Sequence, residues 1–172
     1  VKPAAKPANE ASRLAILNSL SILDSEQSSD FDNLVMLTKQ LFDVPMVAVS
    51  LLDEDRQWFK SRIGLGVCET NRDVSFCAHI VEDPQTMVIE DAMLDDRFFD
   101  NPLVTEEPFI RFYAGSPLCP VGDEVLGSLC IMDTRPRELS ERERSILDLL
   151  AHQTEKLIEL HALKHTTNKG PF

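Results

Sequence analysis

The sequence predicts an α+β domain, one antiparallel sheet with helices packed against it. Two observations carry this. Apolar, strand-like stretches occur as pairs joined by short acidic or Gly-Asp turns, and a strand that returns through a short turn pairs antiparallel with its neighbour. Segments near both ends of the chain instead space their apolar residues as a helix does. At 172 residues the chain fits one domain long enough to bury a sizeable core.

Taken in order, "VKPAAKPAN" (residues 1–9) has the Pro/Ala/Lys composition of a disordered tail or linker and lacks the apolar stretch of a signal peptide. In "NEASRLAILNSLSIL", Leu14, Ile16, Leu17 and Leu20 fall at helical spacing. A second helix follows, with Ser29 as its N-cap, a stripe through Phe31, Leu34, Val35, Leu37, Leu41 and Phe42, and Pro45 as its stop. "MVAVSLLD" (Met46–Asp53) is almost continuously apolar, as a strand buried on both faces should be. "DEDR" turns the chain into "QWFKSRIGL", whose alternation puts Phe59, Ser61 and Ile63 on one side and Trp58, Lys60 and Arg62 on the other.

Residues 66–108 are less regular and contain a short strand over Thr86–Asp91. A second hairpin joins "FIRFYAGSPL" to "EVLGSLCIMD". If Gly122-Asp123 forms its two-residue turn, Val121 faces Glu124, Cys119 faces Leu126 and Cys130 faces Gly115. In the last helix Ser140 and Glu143 have capping-box spacing, and Ile146, Leu149, Leu150, Leu157, Ile158 and Leu160 make an apolar seam. The periodicity fades after Leu163, so residues 164–172 are expected to fray, with no further domain behind them.

A formal charge of −12 disfavours a nucleic-acid or anionic-membrane partner, both of which call for a basic face. No apolar run reaches the roughly 18–20 residues of a membrane span, and a cytoplasmic protein is expected. The four cysteines, at 68, 77, 119 and 130, contain no C-x-x-C and read as reduced thiols rather than a metal set. Cys119 and Cys130 lie about 13 Å out of register in the hairpin, beyond disulfide reach, whereas local spacing leaves open whether Cys68 and Cys77 meet.

"VSFCAHIVED" places a thiol and an imidazole one residue apart. On a helix, Cys77 and His79 stand about 200° apart and form no dyad. Helical neighbours are Ser75 with His79 and His79 with Asp83, but Ser75 is better placed as the N-cap. Either Cys77 or His79 then looks into the core or a pocket, not both. Asp91, Asp95, Asp96 and Asp100, with Arg97 and Arg111, read as loop caps and local ion pairs. The aromatics Phe76, Phe98, Phe99, Phe112 and Tyr113 read mainly as core. Strand alternation sets Arg111 and Tyr113 opposite Ile110, Phe112 and Ala114.

The ordered blocks "SLLDEDRQWFKSRIGL", "VSFCAHIV", "IEDAMLDDRFFDNPLV", "IRFYAGSPL" and "LGSLCIMDTRPRELSERE" resemble bacterial GAF domains attached to diguanylate cyclases and histidine kinases. The resemblance covers residues 10–163. It implies a GAF/PAS-like antiparallel sheet of five to six strands with helices on both sides, the first and last helices packed together on one face. It further implies a small-molecule pocket on the other face under residues 66–108, homodimerisation through the terminal helices, and signalling to an output domain or protein. The ligand-binding residues expected on this basis are Phe76, Cys77, His79, Asp91, Phe98, Arg111 and Tyr113.

No catalytic or metal-binding residue is expected, and no cofactor is specified. Bilin-binding relatives carry a cysteine immediately followed by histidine, whereas here Ala78 intervenes. Cyclic-nucleotide-binding relatives carry an Asn-Lys…Phe…Asp-Glu signature not found here. In free methionine-R-sulfoxide reductases the catalytic cysteine precedes the strand matching "FIRFYAGSPL", where this chain has none, although Cys77 falls near another of their cysteines. The expectation is a non-enzymatic sensory module. A small thiol redox enzyme and a ligand-free dimerisation module with its pocket packed shut are the alternatives.

Overall fold

The computed structural model describes residues 1–167. A six-stranded sheet forms its centre: β1 (Met46–Leu52), β2 (Arg56–Ile63), β3 (Glu69–Asn71), β4 (Met87–Ile89), β5 (Phe112–Leu118) and β6 (Gly127–Asp133). The spatial order is β3-β2-β1-β6-β5-β4, and every neighbouring pair is antiparallel. Helices α1 (Glu10–Ser19), α2 (Ser29–Phe42) and α5 (Glu141–Thr167) lie on one face. The short helices α3 (Cys77–Glu82) and α4 (Pro102–Thr105) lie on the other. This is the two-faced α+β sheet expected from the resemblance.

β1 is buried at every position, as its unbroken apolar run requires. Val47, Val49 and Leu51 enter the core beneath the long helices, while Met46, Ala48 and Leu52 enter the core beneath α3. The second hairpin has the expected register, with Gly115 opposite Cys130 and Leu118 opposite Gly127, but its ladder stops there: residues 119–126 form a longer connection, so the expected Val121–Glu124 and Cys119–Leu126 pairs are not made.

The first hairpin departs from simple alternation. Val49 pairs with Ser61 but Ser50 pairs with Phe59, so Lys60 is an extra residue in β2. Consecutive side chains then point the same way. Lys60 Nζ donates to Ser25 Oγ at 2.8 Å and Ser61 Oγ to Asp32 Oδ1 at 2.5 Å, both on the long-helix side. Ser61 and Ile63 therefore do not share a face with Phe59, which packs in the opposite core.

The element ends show both agreement and correction. Ser140 and Glu143 form the reciprocal capping box, each backbone N–H donating to the other's side chain at 3.1 Å. The N-cap of α2 is Ser28 rather than Ser29. The same helix ends at Asp43, in the left-handed region at φ 49°, two residues before Pro45. Its last carbonyls, of Phe42 and Asp43, accept from the Arg137 guanidinium at 2.8 and 2.9 Å.

On α5 the fully packed line is Leu147, Ala151, Thr154 and Ile158, flanked by Leu150, whereas Leu149 and Leu160 turn outward. Thr154 escapes an apolar pattern because its hydroxyl is satisfied within the helix, donating to Leu150 O at 2.9 Å. Residues 164–167 continue α5 rather than fraying; the remainder of that expected tail lies outside the described residues. Residues 1–9, expected as a disordered tail or linker, lie against the domain instead. Ala4 packs on the α3-side core and Ala5 N–H donates to Glu82 Oε2 at 3.1 Å.

Candidate ligand cleft

On the α3 side, a cleft of about 480 Å³ opens between the sheet and the 64–110 connection. That volume lies within the roughly 300–1,000 Å³ common for small-molecule sites. Its floor is Gln57 and Phe59 of β2, Tyr113 of β5, and Cys130 and Met132 of β6. Leu65, Val67, Glu69, Thr70 and Val74 form one wall, and Leu103, Pro108 and Ile110 the other. Ile110 reaches the cleft although alternation places it with Phe112. Phe109 adopts a left-handed φ of 57°, so β5 begins only at Phe112 and the strand pattern does not extend back.

A buried polar network underlies the floor. Gln57 Oε1 accepts from Ser50 Oγ and Ser75 Oγ, each at 2.8 Å, and Gln57 Nε2 donates to Thr70 Oγ1 at 3.1 Å. Ser75 Oγ in turn accepts from Ala78 N–H at 3.1 Å, so it caps α3 as its sequence position indicates. One amide thus joins β1, β2, the β3 wall and the start of α3. Tyr113 lies buried with its hydroxyl 3.3 Å from Ser128 Oγ. It needs Gly115 beside it: a Cβ there would stand 2.7 Å from the phenol oxygen and 2.6 Å from Ile80 Cδ1.

Burial governs the thiols. It pushes Cys130, at the cleft floor, up to about 12 and Cys119 to about 11, with nearby Cys77 adding to the first and Glu155 to the second. Burial also raises Cys77. At neutral pH all three are protonated, and a thiol is far weaker than a thiolate as a nucleophile.

Of the residues expected to bind ligand, Phe76 and Tyr113 line the cleft, with ring centroids 4.9 Å apart. Phe98 is stacked against Phe76 at 4.1 Å but does not line it. Cys77 is fully buried, and His79 meets Phe98 edge-on at 4.9 Å; neither lines the cleft. The acidic neighbour of His79 is Glu82, at 4.0 Å, since Asp83 has left the helix. Asp91 accepts from Met93 N–H at the start of a 3-10 turn. Arg111 donates to Val104 O at 2.8 Å and Ile110 O at 3.1 Å. Asp95 and Arg97 form the expected local ion pair, at 2.7 Å. Cys68 is exposed while Cys77 is buried, and both are free thiols. Among the described residues no group of three or more His, Cys, Asp and Glu could hold a metal ion. No helix there is long and apolar enough to cross a membrane.

Gln57, Thr70 and Ile110 were not anticipated. Gln57 could have been, because period two places it on the face of Phe59.

Both long terminal helices are tied to cleft-bearing elements. Arg72, just after β3, donates to Glu10 Oε1 at 2.5 Å and to Asp53 O at 2.9 Å. Glu10 also receives two bonds from Arg13, at 2.9 and 3.0 Å, and Arg13 reaches Leu52 O at 2.6 Å. At the other end of the sheet, Asp148 of α5 accepts from Ser116 Oγ of β5 at 2.8 Å and from Thr86 Oγ1 at 2.6 Å.

The GAF domain family model matches residues 29–158. The cyclic di-GMP phosphodiesterase PA2567 of Pseudomonas aeruginosa is 38% identical over 161 residues, 93% of this chain and 27% of that protein. The chain thus spans about a quarter of the curated relative it matches. Among solved structures, the GAF domain of a phosphoenolpyruvate-protein phosphotransferase from Coxiella burnetii superposes with a TM-score of 0.65 at 17% identity, covering 95% of this chain and 99% of that one. The corresponding Acinetobacter domain gives 0.64 at 22% identity, with 90% and 98% covered. Free methionine-R-sulfoxide reductase from Neisseria meningitidis, solved with its substrate, gives 0.64 at 17% identity, with 96% and 98% covered. These three share the fold. With its family model spanning most of the sheet and helices, the chain belongs to the GAF domain family, in the form carried by bacterial signalling proteins.

Proposed function

We propose that the chain is a non-enzymatic sensory domain that binds a small molecule in the cleft and passes its occupancy to the terminal helices. The observation carrying this reading is the double attachment of the cleft: its β3 wall to α1 through Arg72 and Glu10, and its β5 floor to α5 through Ser116 and Asp148. A ligand that favours one arrangement of wall and floor shifts the population of helix arrangements by its differential affinity for the two. In a protein built like the Pseudomonas relative, the regulated output is a cyclic di-GMP phosphodiesterase unit. The protein acts in the cytoplasm.

A homodimer through the long helices accompanies this reading. Leu149 and Leu160 project about 20° apart around α5 and are 61% and 43% exposed. Leu37 and Leu41, one turn apart on the adjoining α2, are also exposed. A second copy would cover this apolar face. The protonated thiols weigh against the redox-enzyme alternative, and the open cleft weighs against a module packed shut.

Native mass spectrometry of freshly purified protein against its denatured mass tests the proposal. The expected result is a small excess mass, lost on denaturation and absent from a Leu103→Trp variant that fills the cleft. Equal masses, with no thermal shift across a metabolite library, refute it.

A further inference from the structure

We propose that the cleft selects an organic cation, an ammonium carried on an apolar body, and rejects anions; this rests on the cleft being the ligand site. Among the described residues no lysine, arginine or histidine lines the cleft, whereas two carboxylates, Glu69 and Glu107, do. The two differ in their partners. Glu69 receives Arg56 Nη1 at 2.8 Å, so its charge is met. Glu107 stands exposed at the mouth, with no ion pair or hydrogen bond among the described residues.

The guanidiniums nearest the rim face elsewhere. Arg111 is turned onto the carbonyls of Val104 and Ile110, and Arg62 Nε donates to Leu65 O at 3.2 Å.

Inside the cleft, hydrogen-bond donors are scarce. Gln57 spends its carbonyl oxygen on two hydroxyls and one amide hydrogen on Thr70, and the Tyr113 hydroxyl is engaged with Ser128. An anion entering this site would lose its hydration to apolar walls, find few donors in exchange, and meet an uncompensated carboxylate. A cation meets the opposite conditions: the Glu107 carboxylate at the mouth and the aromatic side chains Phe59, Phe76 and Tyr113 inside. The formal charge of −12 enriches cations around the molecule before they reach the cleft.

Three probes with one ring system and graded charge test this: tryptamine, indole and indole-3-acetate, compared at neutral pH by ligand-observed NMR titration. Tryptamine is expected to bind at least about three-fold tighter than indole, with indole-3-acetate weakest, and the gap should close in about 0.5 M salt. Glu107→Gln, at an exposed position where folding is not at stake, brings tryptamine to the affinity of indole, and Glu107→Lys reverses the order. Indole-3-acetate binding as tightly as tryptamine overturns the charge selectivity while leaving the cleft as a ligand site. A tryptamine preference undiminished by Glu107→Gln overturns it as well, since the carboxylate at the mouth then contributes nothing and attraction to the acidic surface accounts for the preference. Binding by none of the three overturns it together with the cleft reading.

Discussion

Glu10→Gln is the most informative single substitution, because the Glu10 carboxylate lies between two buried guanidiniums. The Arg13 and Arg72 side chains are only 1% and 7% exposed, and Glu10 itself 15%. Burial alone raises the Glu10 carboxyl, but the hydrogen bonds and charges of Arg13 and Arg72 outweigh it and bring it from 4.5 to about 2. At 1.36 kcal/mol per pH unit, that difference corresponds to about 3 kcal/mol of stability. Removing one partner of a buried pair costs a comparable roughly 3–5 kcal/mol, because the other charge remains buried and uncompensated.

Urea unfolding followed by circular dichroism should therefore show Glu10→Gln about 3 kcal/mol less stable. The midpoint of thermal unfolding should fall by roughly 6–12 °C for a chain of this size. The sign of the pH dependence follows from the lowered folded-state value. The contribution is complete above about pH 4.5 and disappears as pH falls toward about 2. The parent protein should lose this increment across that window, and Glu10→Gln should lack it. Adding Arg13→Met to Glu10→Gln should recover part of the loss by removing the orphaned charge. A Glu10→Gln protein within about 0.5 kcal/mol of the parent, with the same acid limb, would refute the assignment of this network as a structural tie.

Other substitutions probe the remaining parts. Gly115→Ala forces a Cβ against Ile80 and the Tyr113 hydroxyl; it should cost about 1–3 kcal/mol in urea unfolding, and a neutral result would contradict the packing described at the cleft floor. Ser75→Ala removes the α3 cap and one of the two hydroxyls on Gln57; a loss of about 1–2 kcal/mol is expected, with faster amide exchange at Ala78. Leu149→Glu with Leu160→Glu should convert a dimer to a monomer in light scattering while leaving the circular dichroism spectrum of the fold unchanged, and an unchanged mass would remove the proposed interface. Iodoacetamide at mildly alkaline pH should modify exposed Cys68 quickly and buried Cys77 and Cys130 only upon unfolding; equal rates would contradict the buried, protonated thiols.

Local rules carried much of the architecture. Period-two alternation about a centre at Gly122-Asp123 led to the register that sets Gly115 against Cys130, although the ladder stops at Leu118 and Gly127 and the tight two-residue turn assumed for it is not formed. The Ser140–Glu143 box and the Ser75 cap were legible because each depends on residues three positions apart. The unbroken apolar run of β1 marked a strand covered on both faces.

What escaped local reading depends on residues brought together from distant parts of the chain. The extra residue at Lys60 reverses the facing of Ser61 and Ile63, and a bulge has no obligatory residue signature here. The outward turn of Leu149 and inward turn of Thr154 were fixed by which side of α5 met the sheet, since a helix with apolar residues on several sides can seat itself in more than one rotation. Glu10 and Arg72 are 62 positions apart, and Gln57 and Ser75 are 18. Spacing along the chain describes what one helix or strand can present to its surroundings. The partner it meets, and therefore the cleft and its ties to the long helices, arises when the sheet closes and loop-closure entropy is offset by burial across it.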